Sequence, residues 1–220
     1  MKRGDLAGSV GLGAWTAFGV LTMAVIGDGQ PLYGDEDLLS WSVAHRPDMA
    51  VALARGLTAT GTGFIPYVLA VLAGILAGRT LRRRAVAAAL CLACLGAGQA
   101  ARYGVLALVA RPRPTRVDWA THASGWAFPS GHTTAAFASA TVLHRHFGWK
   151  VGLPAYGAAT YVAASRVQGK RHYLSDVAFG AALGVVAGRT VTMPGGHKMS
   201  IGPIGTDFGP AAGFTLIGKK

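Results

Sequence analysis

Apolar segments long enough to read as membrane helices recur along this 220-residue chain, and much of its charge sits in the short connections between them. A helix needs about 20 residues to cross the hydrocarbon core of a bilayer. Six segments meet or approach that length: Leu6–Ile26, Leu57–Gly78, Ala85–Ala110, His132–Phe147, Val151–Val167 and Tyr173–Arg189. Hydrophobic residues make up 51% of the chain, charged residues 14%, and mean hydropathy is +0.38, an apolar surplus that an ordinary soluble globule does not carry. The pattern predicts an all-α fold, a six-transmembrane-helix bundle over residues 1–189. Residues 190–220 are rich in glycine, contain Pro203 and Pro210 and have no stretch that could span, so they read as a cytoplasmic tail of loops or short strands.

Met1-Lys2-Arg3 before the first segment resembles a secretory signal, but no small-residue cleavage site follows, so the segment reads as a retained anchor. Counting crossings puts the Met1 end, the Arg79–Arg84 loop, the His144–Lys150 connection and the tail on one side. Lys and Arg enrich that side, which makes it cytoplasmic. The opposite side receives the acidic loop around Asp28, Asp35, Glu36 and Asp37, then Arg111–Gly131, then Gln168–His172. A net charge of +12 does not imply nucleic-acid binding, because the basic residues form no continuous tract and no nucleic-acid motif accompanies them. Cys91 and Cys94 lie inside an apolar run, and they read as two small apolar residues on one helical face rather than as a disulfide or zinc site. Gly180, Gly184 and Gly188 make a flat helical stripe suited to close helix packing.

Three strings carry the chemistry: Arg113-Pro114, Pro129-Ser130-Gly131-His132, and Ser165-Arg166 followed by His172 and Asp176. Two histidines suit phosphate transfer, since one can attack phosphorus while the other protonates the leaving oxygen. A guanidinium grips a tetrahedral oxyanion through a planar fork of donors and stays charged at any working pH. His172 and Asp176 are four residues apart, so on a helix their side chains can meet. Ser130 and Gly131 precede the fourth segment, where unsatisfied backbone N–H groups and the helix dipole favour an anion. The spans follow from hydrophobicity and the strings from chemistry, yet all three strings fall on one membrane face.

These strings resemble the signature of the type 2 phosphatidic acid phosphatase (PAP2) superfamily, which includes bacterial membrane lipid phosphatases and vanadium haloperoxidases. Pro129-Ser130-Gly131-His132 reproduces the second motif, and Ser165-Arg166, five residues, His172, three residues, Asp176 reproduces the third. The first motif departs: its expected lysine is Leu106 in the register ending at Arg113-Pro114, and Gly104 in the register ending at Arg111-Pro112. Arg102, one helical turn before Leu106, is a candidate replacement, and Arg116 and Lys170 are others.

The resemblance implies that His172 is the nucleophile, Asp176 orients it, and His132 is general acid and then base. Arg113, Arg166, Ser130 and Gly131 bind phosphate, with Arg102 added as the substitute cation. It implies an integral-membrane lipid phosphatase acting through a phosphohistidine on undecaprenyl diphosphate, phosphatidate, phosphatidylglycerol phosphate or a lipid A phosphate. Lipid-to-lipid phosphotransfer and non-catalytic lipid binding or transport are the alternatives. No cofactor and no metal is expected, because no carboxylate cluster accompanies the motifs. The expected partners are a lipid phosphate and the bilayer, not nucleic acid, with oligomeric state left open. The expected location is the bacterial inner membrane, with both termini cytoplasmic and the site facing outward.

Overall fold

The computed structural model describes residues 16–17, 19–25, 27–52, 56, 68, 71–72, 75–76, 80–117, 119–120, 123–190, 197–206 and 209–218. Its named elements are α1 (Asp35–Ala44), α2 (Leu81–Val109), α3 (Gly131–Phe147), α4 (Trp149–Gln168), α5 (Leu174–Thr190), β1 (His197–Thr206) and β2 (Gly209–Gly218). Helices α2 to α5 match the third to sixth apolar segments within four residues at each end. The largest shift is at the start of α2, which takes in Arg82 and Arg84 from the expected basic loop. Arginine is among the better helix formers, so the helix continues through that cluster. The first segment shows helix over residues 19–25, while its beginning and most of Leu57–Gly78 lie outside the described residues. No helix among the described residues is long and apolar enough to cross a membrane.

One expectation changes. The acidic loop around Asp35 is helix α1, with Asp35, Glu36 and Asp37 all in its first turn. Carboxylates there face the positive end of the helix dipole, and this favours a helix over an open loop. The tail, expected as loops or short strands, forms a hairpin in which β1 and β2 pair antiparallel with Ser200 opposite Thr215 and Thr206 opposite Gly209. Ile201, Ile204, Phe214 and Leu216 are residue types that favour strands.

Helix α3 packs most extensively, against α5 and α4. The glycine stripe makes the α3–α5 approach possible. A Cβ on Gly180 would lie 2.8 Å from Ser130 O, one on Gly184 2.5 Å from Thr134 O, and one on Gly188 2.6 Å from Thr141 Cβ. At the far end Arg145 Nη1 donates to the carbonyls of Gly188 and Arg189 at 2.9 and 2.8 Å, which satisfies terminal acceptors of α5. Leu95, Ala135, Ala138, Val142 and Leu143 form one apolar cluster in this bundle. A second, Leu39, Val167, Tyr173 and Val177, seats α1 against the α4–α5 corner. That second cluster places α1 beside His172.

Candidate active site

Three chain segments converge between the helix ends: the loop after α2, the entry to α3 and the α4–α5 connection. Backbone hydrogen bonds set their relative positions. Ser130 N–H donates to Asp176 O at 3.1 Å, Ala127 N–H to Arg111 O at 2.8 Å, and Ala120 N–H to Gly169 O at 3.3 Å. Each of these bonds joins two different segments, so the three strings are held as one unit.

His172 and Asp176 are both buried, and their i,i+4 spacing brings His172 Nδ1 to 3.4 Å from Asp176 Oδ2. On the other side of the ring, Arg113 Nη1 stands 3.2 Å from His172 Nε2. A guanidinium can only donate, so Nε2 carries the lone pair and the ring proton sits on Nδ1, toward Asp176. Burial lowers the His172 pKa; the neighbouring Asp176 carboxylate opposes this, while Arg113 and Arg166 reinforce it. The imidazole is therefore neutral near pH 7, with its basic nitrogen directed at an arginine.

Arg113 is braced by its own loop: Nε donates to Gly125 O at 3.0 Å, Nη2 to Ser124 O at 3.1 Å, and Nη1 to Arg171 O at 3.0 Å. Burial is the largest influence on its pKa, bringing it to about 10; Asp176 raises it while Arg171 and Arg102 lower it. It remains cationic at neutral pH. Arg166 is 1% exposed; its Nε and Nη2 share Ser165 Oγ at 3.2 Å, and its Nη1 is buried with no hydrogen-bond partner.

Arg102 reaches the second motif. Its Nε donates to Pro129 O at 3.0 Å, and it covers Gly131 so closely that a Cβ there would lie 2.9 Å from that nitrogen. His132 follows in the first turn of α3, half-buried. The structure corrects the expectation that Ser130 offers its backbone N–H to an anion, because that donor is spent on Asp176 O. The Ser130 hydroxyl accepts from Thr133 Oγ1 at 3.0 Å and makes no capping bond to α3. It keeps its own proton for donation.

Sequence reasoning missed Arg111, Asp35 and Ser175. Arg111 is fully buried: Nη1 donates to Asp176 Oδ1 at 3.0 Å and to Ser175 Oγ at 2.6 Å, and lies 3.7 Å from Asp35 Oδ2. Its Nε donates to Gly29 O at 3.1 Å, and Gly29 sits at φ 74, where a side chain would be strained. Asp35 accepts from Ser175 N–H at 2.9 Å. The doubled Arg-Pro hinted at Arg111 through its second register, but no local signal marked Asp35.

Beside Arg113 opens a cleft of about 410 Å³, walled by residues that include Arg116, Trp119 and Trp126. Among the described residues, no group of three or more His, Cys, Asp or Glu side chains could hold a metal ion.

A family model described as the PAP2 superfamily matches residues 87–195. The lipid A 1-phosphatase of Porphyromonas gingivalis is 41% identical over 64 residues, which is 28% of this chain and 14% of that protein's length. The decaprenylphosphoryl-5-phosphoribose phosphatase of Mycobacterium tuberculosis is 33% identical over 164 residues, 71% of this chain and 86% of the relative. In fold, the chain is similar to the transmembrane PAP2-type phosphatidylglycerolphosphate phosphatase of Bacillus subtilis, with TM-score 0.64 and 23% identity over 80% of this chain and 92% of that one. Aquifex aeolicus LpxE gives TM-score 0.61 at 18% identity, covering 71% and 93%.

Proposed function

Because the chain belongs to the PAP2 superfamily and is a phosphatase of that type, we propose that it hydrolyses a phosphomonoester or diphosphate carried on a lipid, through a phosphohistidine on His172. The observation that carries this reading is the line Arg113–His172–Asp176, with a guanidinium on Nε2 and a carboxylate on the Nδ1 side. That line leaves Nε2 as the nucleophilic atom and gives the cation formed on attack an adjacent counter-charge.

The steps follow from these positions. A phosphoryl group enters by its oxygens on Arg113 and Arg166, which moves the Arg113 donor from Nε2 to the substrate. Nε2 then attacks phosphorus, the bond to the leaving oxygen breaks, and His132 gives that oxygen its proton. In the second half His132 takes a proton from water, the water oxygen attacks phosphorus, and the P–Nε2 bond breaks to release inorganic phosphate. His172 returns neutral with its proton on Nδ1. Gly131 and the α3 N-terminus add backbone donors, Ser130 its hydroxyl, and Arg102 a flanking cation. Asp176 stabilises the imidazolium throughout. No step uses a metal, since these side chains supply the charge stabilisation.

The names of the relatives favour a lipid phosphate, and the relative matched over most of both chains acts on a polyprenyl-linked phosphosugar. The proposal includes a bilayer location, and it takes from the hydrophobic pattern of the sequence a six-span domain over residues 1–189, a site on the outer face and residues 190–220 in the cytoplasm. The test is full-length protein in detergent with EDTA, offered phosphatidate, phosphatidylglycerol phosphate, undecaprenyl diphosphate, lipid A and a polyprenyl-linked phosphoribose. At least one should release phosphate, orthovanadate should inhibit, and His172→Ala should lower turnover by at least about 10^4-fold. Equal activity in His172→Ala would remove the nucleophile, and inactivity of the wild type on the whole panel would remove the phosphatase reading.

A further inference from the structure

The first motif lacks its lysine, and Leu106 stands in its place. Three side chains could replace that charge on sequence grounds, and the structure gives each of them a position. Arg116 is exposed, with its guanidinium 5.9 Å over the Trp119 ring. Arg102 spends Nε on Pro129 O. Lys170, the third, stands in the turn before His172 at φ 55.

The residue that follows Lys170 is Arg171. It is 5% exposed, it directly precedes His172, and its Nη2 is buried with no hydrogen-bond partner. Arg166 at Nη1, Arg111 at Nη2 and Arg189 at Nε and Nη1 share this condition, and of these only Arg166 stands with Arg171 at the turn before His172. The two are joined through the backbone, Arg171 N–H donating to Arg166 O at 3.1 Å, while Arg171 O accepts from Arg113 Nη1 at 3.0 Å. Among the described residues no carboxylate pairs with Arg166 or Arg171, because Asp35 and Asp176 are engaged by Arg111 and His172. A buried guanidinium nitrogen without a partner is costly, and a bound anion is one way to supply the missing acceptor.

We propose that Arg171 binds the phosphoryl group of the substrate together with Arg166 and Arg113, supplying the cation that the first motif lacks. This rests on the phosphatase reading above and extends it to a residue in the five-residue spacer of the third motif, where the motif specifies no residue type. The connection is held for the purpose: Gly169 N–H donates to Ser165 O at 3.0 Å and Lys170 N–H to Val167 O at 2.8 Å, so the turn is set before any ligand arrives. The arginines also oppose one another. Arg171 is lowered to about 10 by burial and then by the charge of Arg166, and Arg171 in turn lowers Arg113. An arriving phosphate dianion relieves that repulsion.

The experiment uses full-length protein in detergent, as wild type, Arg171→Gln and Arg171→Lys. Calorimetry measures orthovanadate binding, lipid phosphate release gives kcat/KM, and thermal unfolding checks the fold. Arg171→Gln should bind orthovanadate at least 10-fold more weakly and lose at least 10-fold in kcat/KM at an unchanged Tm. Binding and kcat/KM within twofold of wild type would overturn the proposal. If Arg171→Gln does not fold, Arg171→Lys decides. A lysine among these cations loses its proton below its ordinary range, so its orthovanadate affinity relative to wild type should fall as pH rises from 7 to 9.5. A constant ratio would overturn the proposal. Failure of the underlying phosphatase reading looks different: the wild type would bind orthovanadate and release no phosphate from any lipid.

Discussion

Arg111 and Arg113 lie two residues apart in one Arg-Pro-Arg-Pro string, and the fold gives them opposite roles. Arg111 is fully buried between the carboxylates of Asp35 and Asp176 and also donates to Ser175 and Gly29, with Nη2 left without a hydrogen-bond partner. Arg113 is half-buried, touches carbonyl oxygens and His172 Nε2, forms no ion pair with a carboxylate among the described residues, and has Asp176, Arg171 and Arg102 as charged neighbours. A guanidinium matched by fixed carboxylates locks parts together. One surrounded by neutral acceptors and other cations is arranged for an anion from outside. Residues two apart share a face in a regular extended strand, so the opposite directions of Arg111 and Arg113 mean that the Arg-Pro-Arg-Pro stretch after α2 is irregular, turning one guanidinium toward α1 and α5 and the other toward the loop and His172.

The contrast breaks first at Arg111. Arg111→Met leaves two carboxylates buried without their cation and should cost about 3–5 kcal/mol of stability, seen as a large fall in Tm, whereas Arg113→Gln should unfold near the wild-type temperature. The reverse result would exchange the two roles. Arg113→Gln should instead lower kcat by about 10^2–10^3-fold, measured as phosphate release from whichever lipid the wild type accepts. Asp35→Asn keeps the shape but removes one carboxylate from Arg111, weakening the bonds to Ser175 and Arg111 by about 1–3 kcal/mol. Denaturant titration reads that loss, and turnover should fall less than in Arg113→Gln, since Asp35 acts on Asp176 only through Arg111.

The smallest effect is in pH. His172 must be neutral to attack, and its pKa is lowered by burial and by Arg113 and Arg166, so the acid limb of kcat/KM should lie below the ordinary histidine range. Removing the Arg113 charge makes protonation of His172 easier. The limb in Arg113→Gln should therefore move to higher pH, and an unmoved limb would show that His172 is not the titrating group.

Much of the helical layout was legible in the chain, because apolar runs bounded by Gly148, by the Gly169-Lys170 turn and by basic residues announce themselves locally. The second and third motifs were legible for the same reason, since Pro129–His132 and His172 with Asp176 are short-range patterns. Helix α1 was misread because three acids looked like a solvated loop, although one of them, Asp35, is 4% exposed. Ser130 was read as open at its N–H, and no local pattern could reveal that Asp176 O, 46 residues away, already accepts from it.

The sequence by itself determined which chemistry this protein holds: two histidines, a carboxylate one turn from one of them, and arginines suited to phosphate. Tertiary structure decided which arginine does what. Arg111 reaches Ser175 and Asp176 across 64 and 65 residues, and Asp35 reaches Ser175 across 140. Contacts of that range depend on how α1, α3 and α5 pack, and α3 and α5 pack closely because three glycines leave room for a backbone. Charge type is a property of the residue, whereas the presence or absence of a counter-charge is a property of the fold.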